Sequence, residues 1–302
     1  MKVSVLICTY NRAVLLDQAL ASLIQTSVER PDEIVVVVGG EDKETEAVLR
    51  KWQDCYDFLK WVRIKNVVLA NSRNVGLPLC SGEVVALTDD DARVFPDWIQ
   101  RIKQAHQEHP EAGAIGGPVL AVDDHRFINR ISNYIVFPTL TTKGPVRTLP
   151  GVNCSYKKEA VEKTGPYDET LFRGEDVDFN WRMKRQGYEI YHDPAIRVYH
   201  SHRTSWLGLA KQVYMYGRAY YLVRTKWTDL YSVYPRQVKS IRDFLKLGYF
   251  FLGVFLEPLA WIKYQIKPTD ILMGYPIGVL LAAAWRGGML TQRFFYTKRR
   301  SK

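Results

Sequence analysis

The sequence predicts an α/β fold for its first two thirds, a mixed and mostly parallel sheet flanked by helices, and three observations carry that prediction. Short apolar runs alternate with segments of helical spacing. The runs are nearly continuous Val/Ile/Leu stretches, the pattern of strands covered on both faces. Polar or acidic residues close the runs, at the carboxyl ends where open α/β sheets place their functional loops.

Val3 to Cys8 is the first run, closed by Thr9-Tyr10-Asn11-Arg12, and Ala13 to Ile24 then spaces Leu16, Leu20, Leu23 and Ile24 at helical intervals. Glu33 to Val38 is an almost unbroken Ile/Val strand ended by Gly39 and Gly40, with a helix over about Lys43 to Asp54 behind it. Trp61 to Leu69 predicts a third strand, Asn71 to Leu79 a helix opening, and Val84 to Thr88 a fourth strand running into Asp89, Asp90 and Asp91. Trp98 to His109 reads as a helix and Ala114 to Val122 as a strand. Asp123 to Pro150 has weak periodicity and reads as a surface excursion that shapes a binding cleft. Beyond it, Asn153 to Tyr156 is extended, Lys158 to Thr164 and Asp176 to Gln186 are helical, and Glu189 to His200 is mainly extended.

A hydrophobic fraction of 47% with 25% charged residues over 302 positions excludes intrinsic disorder as the main description. The net charge of +10 is unevenly spread: Met1 to His200 carries 25 basic and 28 acidic residues, Ser201 to Lys302 carries 17 and 4. A basic tail after a near-neutral body points to an anionic partner, nucleic acid or a phospholipid surface. Cys8, Cys55, Cys80 and Cys154 form no paired motif, so a reducing compartment is expected, and Val3 to Cys8 is too short for the apolar region of a signal peptide.

Within the tail, Leu247 to Leu256 and Ile271 to Trp285 carry no charge, each marginal against the roughly 20 residues that a spanning helix needs. A hairpin would place Arg236, Lys239, Arg242 and Lys246 with Arg286, Arg293, Lys298, Arg299 and Arg300 on one side, leaving Lys263 and Lys267 at the turn. Alternatively both segments lie in the interface, with Trp261 and Trp285 at headgroup depth.

Three groups of residues can carry chemistry. Asp89, Asp90 and Asp91 repel one another and call for a counter-charge, for which a divalent cation with oxygen ligands is the natural choice, although the trio also reads as a solvated acidic turn. Gly174-Glu175-Asp176 opens a helix in which Asp178 and Arg182 pair at i, i+4, and a carboxylate there can take a proton from a hydroxyl or simply cap the helix. His200 and His202 end a β-like run, where His200 can complete a mixed carboxylate and imidazole site, and Arg73 offers a fixed cation suited to phosphate or base recognition.

Val3-Ser4-Val5-Leu6-Ile7-Cys8-Thr9-Tyr10-Asn11-Arg12, Ala70-Asn71-Ser72-Arg73-Asn74-Val75-Gly76, Ser81-Gly82-Glu83 leading to Asp89-Asp90-Asp91, Phe95-Pro96-Asp97-Trp98 and Gly174-Glu175-Asp176 follow one another in the order and spacing of a known family. Over about Met1 to His202 the chain resembles the inverting family 2 glycosyltransferases of the GT-A fold. The resemblance implies a nucleotide-sugar donor across the strand ends, with Thr9, Tyr10, Arg12 and Arg73 around the nucleotide and Asp89 and Asp90 toward the ribose. It implies Mg²⁺ or Mn²⁺ on Asp91, Asp89 and His200, and a general base drawn from Glu175 and Asp176, with Asp176 preferred. One departure concerns the base: Gly39-Gly40 stand where many relatives have an acidic residue, which leaves a shifted contact from Glu41 or Asp42, or a donor without uracil.

The domain reading that follows is a catalytic domain over 1–202, donor-binding to about 122 and acceptor-binding from about 123, and a membrane-associating helical region over 203–302. The expected activity is single-displacement sugar transfer to a lipid-linked acceptor at the cytosolic membrane face, as a peripheral protein or through a hairpin anchor. A soluble or polysaccharide acceptor is the alternative within the class. A nucleotidyltransferase would need a glycine-rich loop after the first strand, and Thr9 to Arg12 has no glycine. A non-enzymatic nucleic-acid binder would use the basic tail with Trp206 and Trp227, but the tail's long uncharged runs have no use on a phosphate backbone, so no nucleic acid is expected as partner.

Overall fold

The computed structural model describes residues 1–65, 68–138, 140–230, 239–264 and 268–300, the side chains of 261–268 and 296–300 excepted. Arg236 and Lys267 therefore lie outside the described residues, as do the side chains of Trp261, Lys263, Lys298, Arg299 and Arg300. The chain divides into two compact units, Met1–Val122 with Thr139–Ser201, and Asp123–Pro138 with His202–Lys302.

The first unit opens with β1 (Val3–Thr9), α1 (Ala13–Ile24), β2 (Glu33–Gly39), α2 (Lys43–Gln53), β3 (Leu59–Ile64), α3 (Leu69–Leu79) and β4 (Val84–Asp89). The carboxylate of Asp42 accepts from the amides of Glu44 and Thr45 and so starts α2. There follow β5 (Ala92–Val94), α4 (Trp98–Glu108), β6 (Ala112–Gly116) and β7 (Val119–Ala121). After α5 (Phe127–Val136), which belongs to the second unit, come β8 (Gly144–Pro145), a 3-10 turn over Gly151–Asn153, β9 (Cys154–Lys157), α6 (Lys158–Thr164), α7 (Glu175–Arg185), β10 (Glu189–His192) and β11 (Val198–His200).

Eight strands make one sheet in the order β3-β2-β1-β4-β9-β6-β10-β8, and β5-β11-β7 make a small second one. β3, β2, β1 and β4 run parallel, β9 is antiparallel to both its neighbours, and β6 pairs in parallel with β10. Leu6, Val35, Val37, Leu87, Tyr156 and Phe179 belong to a buried core that the sheet shares with its helices, the burial that the unbroken apolar runs demand.

Two predicted strands are each divided between the sheets. Ala114 to Val122 breaks at Gly117-Pro118 into β6 and β7, because Pro118 has no amide to donate and Gly117 lies against the backbone carbonyls of Ile196 and Asp193, where a Cβ has no room. Glu189 to His200 breaks between β10 and β11, where the Asp193 side chain accepts from the Ala195 amide and closes a tight turn. The third strand begins at Leu59, ahead of the expected Trp61.

The second unit contains α5, α8 (Trp206–Lys226), α9 (Ile241–Leu256), a 3-10 segment over Glu257–Tyr264 and α10 (Pro268–Arg300). The excursion expected to be irregular thus holds a helix, α5, whose Ile131 packs with Leu209, Val213 and Leu281. Asp270 at the start of α10 takes two hydrogen bonds from Arg130 of α5, at 2.7 and 2.8 Å. Gly217 of α8 and Gly288 of α10 let the two backbones approach so closely that a Cβ on either would strike a carbonyl of the other helix.

Ile271 to Trp285 proves to be part of a longer helix. The uncharged count stops at Arg286, yet its guanidinium is buried, held by Glu257 at 2.7 Å. Thr269–Phe295 is the one helix among the described residues long and apolar enough to cross a membrane, by length and composition. α9, with 16 residues, falls short of the lower limit of about 17.

Candidate active site

Register brings the predicted residues together. β1 and β4 pair Cys8 with Asp89, so one residue further Thr9 meets Asp90, and the Thr9 hydroxyl donates to Asp90 Oδ2 at 2.7 Å. β11 pairs His200 with Ala92 of β5, which sets His200 beside Asp91, Nε2 to Oδ1 at 3.1 Å. Arg12, reached through Asn11 in a left-handed conformation that asparagine tolerates, places Nη1 at 2.9 Å from Asp90 and 2.7 Å from Asp91. Part of the counter-charge that the aspartate trio calls for is therefore Arg12. Tyr10 is half exposed on the same loop and Glu41 is exposed after β2, ahead of the Asp42 cap.

Asp89, Asp91 and His200 offer ligand atoms that lie within 4.8 Å of one another. Two carboxylates and an imidazole at that spacing fit Mg²⁺ or Mn²⁺. Burial, helped by the neighbouring Asp91, pushes the Asp89 carboxyl up to about 6. Burial opposes charge on His200 as well, but the adjoining Asp91 carboxylate outweighs it and raises the imidazole above its usual value.

Arg73 on α3 joins this cluster to the second one. It is 3% exposed, donates from Nη1 to Glu175 Oε1 at 2.8 Å and reaches Asp89 at 4.0 Å, with its guanidinium over the Tyr167 ring at 5.4 Å. Burial pushes Glu175 up to about 7 against the pull of Arg73. Gly174 precedes α7 with a φ of 77°, available to glycine without strain, and this turn carries Glu175 inward beside Asp176. Asp176 Oδ2 accepts from the Gly151 amide at 3.0 Å and Oδ1 from the Val177 amide at 2.8 Å. Asp178 and Arg182 pair as their spacing predicts, at 3.0 Å.

Two residues that sequence reasoning passed over shape the site. A Cβ on Gly151 would collide with the Arg73 guanidinium, so this glycine is the floor on which Arg73 lies. Asn153 is fully buried, donates to the carbonyls of Pro118 and Ile196, and accepts from the Trp98 indole at 2.9 Å, fixing the turn that presents the Gly151 amide. The Pro150-Gly151 pair was the available signal for a close backbone approach. For Asn153 the sequence offers none.

The family described as Glycosyl transferase family 2 matches residues 4–165. A glucosyl-dolichyl phosphate glucuronosyltransferase of Haloferax volcanii is 31% identical over 242 residues, covering 70% of this chain and 77% of that one. A poly-beta-1,6-N-acetyl-D-glucosamine synthase of Staphylococcus aureus is 24% identical over 79% of this chain, which spans 61% of the synthase. Among solved structures, the mannosyltransferase PcManGT from Pyrobaculum calidifontis, in complex with GDP-Man and Mn²⁺, matches with a TM-score of 0.65 at 18% identity, over 96% of this chain and 86% of that one. That likeness shows the fold, a GT-A arrangement with the large, mostly parallel sheet described above.

Proposed function

The chain belongs to glycosyl transferase family 2, and from that premise we propose that it moves a sugar from a nucleotide-diphosphate donor to the hydroxyl of a lipid-linked acceptor, with inversion at the anomeric carbon. The observation that carries the reading is the bridge made by Arg73. One guanidinium touches both the Asp89 side of the carboxylate–histidine cluster and Glu175 of the Glu-Asp pair, so donor clamp and base belong to one crevice.

Asp176 serves as general base. Glu175 is committed to Arg73, whereas Asp176 carries backbone hydrogen bonds alone among the described residues, which orient it and leave lone pairs for the acceptor proton. Asp89, Asp91 and His200 would hold a divalent cation, whose chemistry when bound would be to offset negative charge on a diphosphate leaving group. Thr9 and Arg12 hold Asp90 and Asp91 in place beneath the donor, with Tyr10 and Glu41 at its nucleotide end. Arg12 and Arg73 keep the acidic loop from repelling the incoming phosphates.

The dolichyl phosphate in the name of the Haloferax volcanii relative supports a lipid-linked acceptor, and so does the apolar α10 beside a basic composition. The cytosolic membrane face follows from that reading. The synthase relative favours a second reading, a polysaccharide acceptor. Incubating the full chain with a panel of nucleotide-diphosphate sugars, Mn²⁺ or Mg²⁺, and polyprenyl phosphates, bare or bearing one sugar, tests the choice. The proposal expects an organic-soluble glycoside of inverted anomeric configuration. A retained configuration, or transfer to soluble glycan alone, contradicts it.

A further inference from the structure

Phe95-Pro96-Asp97-Trp98 has no part in the chemistry described so far, yet it ends in an indole that is fully buried. The Phe95 carbonyl accepts from the Trp98 amide at 3.0 Å as α4 begins, and the indole Nε1 donates to Asn153 Oδ1 at 2.9 Å. The Asn153 side-chain nitrogen donates to the carbonyls of Pro118, at 3.0 Å, and Ile196, at 2.8 Å. Its partners lead to reacting groups. Ile196 stands just ahead of β11, which ends in His200. Gly151, two residues before Asn153, donates its amide to Asp176 and has no room for a Cβ against the Arg73 guanidinium. On the side of β6, a Cβ on Gly116 would strike the Asn153 carbonyl, so the turn has no slack there. A buried amide held at both ends cannot shift without leaving a polar atom unpaired, which is costly in the interior. The indole–amide bond therefore sets where the Gly151 turn stands relative to Asp176 and to the strand of His200.

We infer that Trp98 and Asn153 are positioning residues for the transfer step: their hydrogen bond holds the Gly151 turn so that its amide orients the Asp176 carboxylate for proton abstraction. The inference rests on Asp176 as the general base. Neither residue touches the reacting atoms; both act through the Gly151 amide.

Pro150-Gly151 is the one Pro-Gly step in the sequence. Carbonyl-¹³C proline with ¹⁵N glycine therefore gives the full chain a single signal in an HNCO spectrum, which reads the Gly151 hydrogen bond without donor or acceptor. In Trp98→Phe, which keeps a ring and removes the N–H, that signal should move upfield and the amide should exchange faster with solvent. With the nucleotide sugar and acceptor that the panel above selects, stabilisation by Mn²⁺ and donor should persist. Single-turnover transfer should fall by up to about 10²-fold, the cost of misplacing a reacting group by about 1 Å. An unmoved Gly151 signal overturns the inference, and so does a joint loss of donor-dependent stabilisation and transfer, the mark of a merely structural role. Parental transfer in Trp98→Phe with Asp176→Asn inactive rejects the positioning role. A moved signal with parental transfer in both variants rejects the base assignment instead. Should Trp98→Phe not fold, benzothienylalanine at position 98, the sulfur isostere that keeps the shape and lacks the N–H, is held to the same outcomes.

Discussion

Gly151 has space for a hydrogen and nothing larger, because the Arg73 guanidinium occupies the volume that a Cβ would take. Gly151→Ala must push Arg73 off Glu175 or lift the turn that donates to Asp176. We expect a loss of about 1–3 kcal/mol, the usual cost of overpacking, with a fall in turnover larger than any change in donor affinity. Melting curves and steady-state kinetics check both. At this scale the sequence was informative about grouping: the structure sets Asp89 and Asp91 beside His200, and Arg73 between Asp89 and Glu175. It was silent on partners: nothing in residue order says that Arg12 bridges two aspartates, or that Arg73 pairs with Glu175 while Asp176 accepts from the Gly151 amide.

Elements are joined by a few buried polar nodes, of which Glu33 at the start of β2 is the plainest. Its carboxylate accepts from the Ser4 hydroxyl of β1 at 2.6 Å, the Ser81 amide ahead of β4 at 2.7 Å and Lys60 of β3 at 2.9 Å. Burial alone would raise this carboxyl, but those donors hold it down to about 2 from an ordinary 4.5. The stabilisation is thus complete above about pH 4.5 and is lost as pH falls toward 2. Glu33→Gln should cost about 1–3 kcal/mol at pH 7, and the gap to the parent should narrow between pH 4.5 and 2, read by denaturant unfolding. A gap independent of pH would contradict the assignment. In the second unit, Gly217→Leu should separate α8 from α10 and lower the melting temperature sharply, since its Cβ would meet the Trp285 carbonyl.

Parallel strands were legible because burial on both faces leaves one unbroken apolar run per strand, as in Glu33 to Val38. The division of Ala114 to Val122 was not, since an apolar run does not record which sheet it joins. α8 escaped notice because it packs against α10 as well as the core around Leu209 and Val213, which spreads its apolar residues around the helix.

Over the whole molecule, the excess of 17 basic over 4 acidic residues after His200 accompanies exposed Phe244, Leu245, Phe251, Leu252 and Phe255 on α9. Apolar side chains beside Lys239, Arg242 and Lys246 suit an anionic bilayer surface. Replacing those three cations with glutamate should weaken binding to phosphatidylglycerol vesicles by about 1 kcal/mol for each charge removed from the surface. High salt should shrink the difference, and vesicle flotation reads it. The extent of α10 was hidden from a charge count because the Arg286–Glu257 pair lies within the fold. Donor clamp and base are separated most directly by measuring Mn²⁺-dependent stabilisation by the donor together with single-turnover transfer in Asp176→Asn and Asp91→Asn. Asp176→Asn should keep the stabilisation and lose about 10²–10⁴-fold in transfer, while Asp91→Asn should lose both. Transfer at the parental rate by Asp176→Asn, or undiminished metal-dependent stabilisation of Asp91→Asn, would contradict that separation.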